Sequence, residues 1–159
     1  MIIRRFKPTD ADAVVRVSEL ATRITSGAVY DQAFVEEMVA KQTRDYFLRR
    51  GEQMHFYVAC EDDDTVIGCA AIGPYHKTPA ESCLYSVFVL PEKQKRGVGR
   101  ALIAAIEQDP WFLQASRVVI PASINALQFY RELGYTFVPG GDQLDEEQLY
   151  CLEKFPQQR

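Results

Sequence analysis

The chain has 159 residues, 47% hydrophobic and 25% charged, with 18 Lys and Arg against 22 Asp and Glu. That length supports one well-cored domain over residues 1–159, and the composition excludes disorder, collagen and low complexity. A formal net charge of −4 weighs against a general nucleic-acid binder, and no apolar run reaches the ~18 residues of a membrane helix, so neither partner is expected.

Residues 1–6 lack the apolar core of a signal peptide. The four cysteines, Cys60, Cys69, Cys83 and Cys151, form no C-x-x-C pair, and the only histidines are His55 and His76. No metal site is expected, and the cysteines read as core filler in a reducing, cytoplasmic compartment.

Residues 2–6 predict a short first strand. Thr9 then predicts the N-cap of a helix that carries Val14, Val17, Leu20, Ala21 and Ile24 at helical spacing and breaks at Ser26-Gly27. A second helix is expected from near Asp31 to about Arg50, ended by Gly51-Glu52. Residues 56–60 and 66–72 predict a hairpin around the acidic turn 61–64. Residues 75–80 read as a loop, and 84–90 as the strongest strand, stopped by Pro91. Gly97 and Gly99 open a helix with an apolar stripe of Val98, Leu102, Ile103 and Ile106, which ends at Asp109-Pro110. A buried strand over 118–120, a helix over 125–133 stopped by Gly134, and strands over 135–138 and 148–155 complete the chain. Strands and helices interleave without a linker, which predicts a single α/β (α+β) domain.

The segment over residues 87–102 is a strand, a basic glycine-bearing loop and a helix start. A helix N-terminus leaves four backbone N–H groups without partners and carries partial positive charge, so such a loop can wrap an anion. Lys93, Lys95, Arg96 and Arg100 add attraction for a polyanion. The loop lacks the Gly-Lys-Ser/Thr of a phosphate-binding P-loop and the third glycine of a dinucleotide fingerprint. On these residues alone it fits equally well a basic helix start whose glycines allow tight packing. In the second segment, residues 121–135, Asn125 reads as an N-cap with Gln128 at N3, and Ile124 with Phe129 as a hydrophobic staple. Tyr130 reads on spacing as core packing.

Together, Gln94-x-x-Gly97-x-Gly99 before one helix and Asn125-Ala126-x-x-Phe129-Tyr130-x-x-x-Gly134-Tyr135 in the next resemble the GNAT superfamily of acyl-CoA N-acyltransferases, over residues 84–138. The order of the remaining elements follows that family at coarse level. The resemblance implies a central mixed, mostly antiparallel sheet, splayed in the middle and flanked by helices. It implies acetyl-CoA as co-substrate in the split, with no metal. The pyrophosphate would rest on backbone amides of Lys95, Arg96, Gly97, Val98, Gly99 and Arg100, with Gln94 in the same motif. The pantetheine would pair, strand-like, with Val87, Phe88 and Val89. Phe129 belongs to the implied cofactor contacts, and so do Ser123 and Asn125. Many relatives carry Asn-x-x-Ala-x-x-x-Tyr, which puts Ser123 in the asparagine slot, so both residues stand as candidates for the pantetheine contact.

The implied activity is acetyl transfer to a primary amine by direct attack. A tyrosine with a pKa of ~10 stays protonated at pH 7 and can protonate the leaving thiolate, a role the resemblance gives to Tyr130. A backbone N–H near Val89 would polarise the carbonyl. The attacking amine needs a base or a water chain. Some relatives place a Glu on the central strand where this chain has Cys83. Glu81, two residues earlier and on the same face of a continuous strand, could act through water, and His76 titrates in the right range. The acceptor is expected to be a small-molecule or peptide amine, framed by the first two helices and residues 75–81, with Tyr30, Phe34 and Tyr75 as candidate liners. The net charge favours a cationic amine, and a homodimer is a family-level expectation. The missing Glu leaves a second reading, a catalytically inactive acyl-CoA-binding module of the same fold. A nucleotide-phosphate enzyme built on the Gly97 loop is a third, weakened by the lack of Gly-Lys-Ser/Thr and of metal-binding carboxylates.

Overall fold

The computed structural model describes residues 1–76 and 78–156. Strands β1 (Ile2–Arg5), β2 (His55–Cys60), β3 (Val66–Tyr75), β4 (Thr78–Val89), β5 (Arg117–Ala122), β6 (Thr136–Phe137) and β7 (Tyr150–Lys154) form one sheet in the order β1-β2-β3-β4-β5-β7-β6. Neighbours run antiparallel except β4 and β5, which are parallel. Helices α1 (Ala11–Leu20), α2 (Gln32–Lys41) and α3 (Arg44–Gln53) precede β2; α4 (Val98–Ile106) and the short α5 (Pro110–Leu113) join β4 to β5; α6 (Leu127–Glu132) follows β5. This is the mixed sheet flanked by helices that the sequence implies.

Two glycines of β3 show how closely the helices press on the sheet. A Cβ on Gly68 would stand 3.1 Å from Leu102 of α4, and one on Gly73 would stand 2.8 Å from Met54, which follows α3. The two positions are five residues apart on one strand, so α4 and α3 cover opposite faces. Val14, Val17, Phe47, Phe56, Ile72, Leu102, Ile103 and Ile106 fill the layers between, and each is fully buried.

Several local expectations need correction. Thr9 does not cap α1: Pro8–Asp10 form a single 3₁₀ turn. The Asp10 carboxylate accepts the Lys7 N–H at 2.7 Å and pairs with Arg4 at 2.8 Å. The helix expected over 31–50 is two helices. The chain breaks at Gln42, whose buried amide donates to Thr22 at 3.1 Å, and restarts where Thr43 Oγ1 accepts the Tyr46 N–H at 3.2 Å. Gly51 does not end α3, which runs to Gln53; the Phe6 ring occupies the space a Cβ at Gly51 would need. The loop expected over 75–80 is a tight hairpin, with Tyr75 opposite Thr78 and His76 at φ +52°. Lys77, within that expected loop, lies outside the described residues. Asn125 makes no capping hydrogen bond; a 3₁₀ turn over Ile124–Ala126 leads into α6, and the Gln128 amide donates to Glu132 at 3.4 Å. Among the described residues no helix is long and apolar enough to cross a membrane. All four cysteines are free.

Asp109 joins α5 to the sheet. Its buried carboxylate accepts from Tyr57 Oη at 2.5 Å, His55 Nδ1 at 2.8 Å and the Trp111 N–H at 2.8 Å, while Trp111 stacks on His55. Burial alone would raise its pKa, but the hydrogen bonds from Tyr57, His55 and Trp111 outweigh burial and hold it below the usual carboxylate value. A depressed folded-state pKa contributes stability that is complete above the unfolded value of about 4 and is lost as pH falls through the folded value. Asp109→Asn is expected to cost about 1–3 kcal/mol at pH 7, or roughly 2–4 °C of Tm per kcal/mol, and to flatten the loss of stability below about pH 4. Thermal melts of both proteins across pH 3–7 measure this; an unchanged Tm would show that the network contributes nothing.

Candidate active site

β4 and β5 hydrogen-bond over a short stretch, with Glu81 opposite Arg117, Ser82 opposite Val118 and Cys83 opposite Val119. Past that point β4 pairs only with β3, and β5 only with β7. The strands part, and a cleft of about 760 Å³ opens between residues 84–89 of β4 and Ile120 and Pro121 of β5. A parted strand edge presents unpaired N–H and C=O groups, the arrangement that accepts an extended, amide-bearing chain.

A bulge shapes the β4 wall. Cys69 faces Phe88 while Ala71 faces Tyr85, so β4 carries one extra residue there. Ser86 adopts φ +52°, and its carbonyl accepts the Cys69 Sγ–H at 3.2 Å. Such a bulge re-aims the residues that follow, here Val87, Phe88 and Val89 on the cleft wall.

The loop after β4 closes one end. Gln94 donates its side-chain amide to Thr25 at 2.9 Å and to the Val89 carbonyl at 3.2 Å, fixing the loop against the helical turn Ala21–Thr25 that follows α1. Lys95 at φ +62° and Gly97 at φ +84° coil the chain into α4. The first intrahelical donor is the Ala101 N–H, to the Gly97 carbonyl. The N–H groups of Gly97, Val98, Gly99 and Arg100 therefore have no acceptor within the helix. Nothing lies within 4 Å of a Cβ position at Gly97, whereas one at Gly99 would meet the Phe129 ring at 3.0 Å. One glycine leaves a cradle open and the other lets α6 approach.

Of the candidate residues, Val87, Phe88, Val89, Gln94, Lys95, Gly97, Gly99, Arg100, Ser123, Asn125, Phe129 and Tyr130 line the cleft. Arg96 is exposed beside it, and the Val98 side chain is buried on the core side, leaving its N–H for the cleft. Tyr130 is buried, with Phe129 and Tyr135 edge-on to its ring. Burial pushes its pKa well above the ordinary tyrosine value.

Glu81 is a correction. It lies at the closed end of the cleft, where β4 and β5 still pair, and its carboxylate is held by Arg117 at 2.5 Å. Cys83, in the Glu position of some relatives, is buried, and burial pushes its thiol up to about 12, so it is no base at neutral pH. His76 sits on the hairpin turn beside Tyr75, and Tyr75 lies against the Arg117 guanidinium. Neither lines the cleft. Tyr30 is a buried tie: it accepts the Ile124 N–H at 3.0 Å, donates to the Gln148 carbonyl at 2.7 Å and stacks on Phe34. The far wall consists of residues the sequence reading missed: Met38, Lys41, Tyr46 and Arg50 from α2 and α3, with Tyr85 of β4. The i, i+4 spacing of Tyr46 and Arg50 was the available signal, and it is also ordinary helix-surface patterning. Among the described residues no group of three or more His, Cys, Asp or Glu stands together as metal ligands.

A parallel strand pair that parts beside an open helix N-terminus defines an acyl-CoA-transferase-like site, and comparison gives the family. The model of the acetyltransferase (GNAT) family matches residues 16–135, about three quarters of the chain, and the chain belongs to that family. The fold is similar to that of PaiA N-acetyltransferase from Thermoplasma acidophilum, solved with coenzyme A (16% identity, 97% and 98% of the two chains covered, TM-score 0.80). It is also similar to a GNAT acetyltransferase from Brucella melitensis, solved with acetyl-CoA (24%, 97% and 86%, TM-score 0.65), and to ribosomal-protein-alanine N-acetyltransferase from the same organism (19%, 98% and 99%, TM-score 0.68). A search of curated protein sequences finds no significant match.

Gly97→Ala isolates the loop backbone. An alanine at φ +84° has room but adopts a disfavoured conformation, so a loss of about 1 kcal/mol, or 2–4 °C in Tm, is expected without loss of fold. Thermal melts decide this; an unchanged Tm would mean that the loop relaxes out of the left-handed conformation.

Proposed function

We propose that the protein is an acetyl-CoA-dependent N-acetyltransferase that transfers an acetyl group to a primary amine by direct attack. The observation that carries this reading is the parted edge of β4 leading into the open N-terminus of α4. Its residues suit the ligand: unpaired strand groups for the pantetheine amides, and the N–H groups of Gly97, Val98, Gly99 and Arg100 for the pyrophosphate. The exposed side chains of Lys95 and Arg96 add positive charge at that end, while Arg100 pairs with Glu132 at 3.2 Å.

Acetyl-CoA supplies an activated thioester. The acceptor nitrogen forms a bond to its carbonyl carbon, the C–S bond breaks, and Tyr130 donates its phenolic proton to the departing sulfur. The amine loses a proton to water, and Tyr130 is reprotonated from solvent. The raised pKa keeps the phenol protonated, and so able to donate, across the neutral range. On this reading neither Glu81 nor Cys83, which lie off the cleft wall, serves as base; deprotonation is left to water and the neutral fraction of the acceptor governs the rate. That fraction is about 0.04% at pH 7 for an unperturbed alkylamine.

Two measurements test the reading. Acetyl-CoA at a hundred times its Kd is expected to add roughly 2.7 kcal/mol, raising Tm by about 5–11 °C, with ATP giving no shift. Tyr130→Phe is expected to lower kcat about 10²-fold or more while leaving that shift intact. In the wild type kcat/KM should rise about tenfold per pH unit up to the pKa of the acceptor amine, with no fall below about pH 10 from ionisation of Tyr130. No shift with acetyl-CoA overturns the reading. A shift without turnover of any amine favours the non-catalytic acyl-CoA-binding module, and wild-type rates in Tyr130→Phe remove the tyrosine from the mechanism.

A further inference from the structure

Among the described residues Arg50, a cleft-lining guanidinium, has no anionic partner. Buried or half-buried charges are normally paired, because a charge moved out of water without compensation is costly. Arg50 is half-buried, and its Nε is sealed from water with no hydrogen-bond acceptor, the single buried side-chain nitrogen or oxygen so placed among the described residues. Its terminal nitrogens meet only the Tyr46 hydroxyl and, at 3.2 Å, the Met54 thioether, which is a weak acceptor. The cation lies over two aromatic rings, 4.6 Å from the centre of Tyr46 and 5.0 Å from that of Tyr85. Among the described residues no carboxylate stands within salt-bridge distance of it. Guanidinium stays protonated at neutral pH despite burial.

The place of Arg50 separates it from the polyphosphate end. Tyr85, on which it lies, stands four residues before the end of β4 at Val89, so Arg50 sits back along the strand from the loop that leads into α4. It lines the same cleft as Tyr130, on the wall formed by α3 and Tyr85. Lys41 of α2 lines the same cleft and adds a second positive charge; of the two carboxylates in the lining, Glu132 pairs with Arg100 and Glu147 lies on the segment before β7. A planar anion suits this place better than a bulky one: two rings flank the guanidinium, and the terminal nitrogen that meets only the weakly accepting Met54 sulfur is free to take a carboxylate oxygen.

Resting on the acetyltransferase reading, we propose that the acceptor carries a carboxylate close to its amine, and that Arg50 binds that carboxylate in place of the Met54 sulfur. The substrate class is then amino acids and related amino-carboxylates rather than polyamines or other purely cationic amines.

The test compares each L-amino acid, and the amino-carboxylates β-alanine and 4-aminobutyrate, with its own carboxamide, following CoA release from acetyl-CoA. The paired probes keep the same side chain, and assays at a fixed fraction of neutral amine remove the difference in amine pKa. At least one acid is expected to exceed its amide by tenfold or more in kcat/KM. Arg50→Gln should collapse that ratio to near one through KM, and Arg50→Lys should restore part of it. Equal or better use of the amides by the wild type overturns the inference without any variant. An equal fall in kcat for acid and amide in Arg50→Gln also overturns it, because that places Arg50 on the acetyl group. Turnover of neither set, with acetyl-CoA still raising Tm, overturns the carboxylate and leaves cofactor binding standing. Loss of the acetyl-CoA shift in the wild type removes the acetyltransferase reading and this inference with it.

Discussion

β4 and β5 exchange hydrogen bonds over three residue pairs and then separate. Backbone polar groups left without partners are costly once removed from water, so a parted strand pair persists only where solvent or a ligand reaches its edges. Every feature of the cleft follows from this separation. It leaves the edge of residues 84–89 open, sets β5 and α6 on the opposite wall, and places the start of α4 where β4 ends. A continuous sheet of the same strands would have no site.

The separation is held from two sides. At the closed end Arg117 spans three strands, pairing with Glu81 of β4 at 2.5 Å and Glu153 of β7 at 3.2 Å. At the other side Tyr30 bridges the turn before α2 to Ile124 and Gln148, so the helical side and the segments after β5 and before β7 share one hydroxyl. Glu81 is therefore used where the strands meet, and a carboxylate fixed by a guanidinium on a neighbouring strand is poorly placed to serve a reaction in the gap beyond. The bulge at Ser86 acts between these two ties: the extra residue twists β4 just where its partner leaves.

Much of this was legible from the chain. Apolar spacing located the strands and most helices, and the order of the Gly97 loop and the Tyr130 segment pointed to the cleft and to the residues that line it. What was not legible depended on depth and partners rather than on pattern. Strand alternation reports the face on which Glu81 lies, not how far the cleft extends along the strand. The break at Gln42 and Thr43 depends on Thr22, twenty residues away, as partner of the buried glutamine. Gly51 stays helical because Phe6, from the first strand, fills the space over it. Asn125 followed by Gln128 has the spacing of a cap, yet the extra 3₁₀ turn moves the helix start past it.

The acceptor side shows the same limit for charge. A formal net charge of −4 favours a cationic acceptor when the whole surface is considered, but a field summed over a surface is screened within about 8–10 Å in physiological salt. Inside a half-buried cleft the nearest unpaired charge dominates, because screening is weak there and attraction rises as water is displaced. That charge is Arg50, held by Tyr46, Tyr85 and Met54 with no carboxylate among the described residues to neutralise it. An acidic surface and a positive pocket are compatible: the surface sets which molecules accumulate nearby, and the pocket sets which of them fits beside Tyr130.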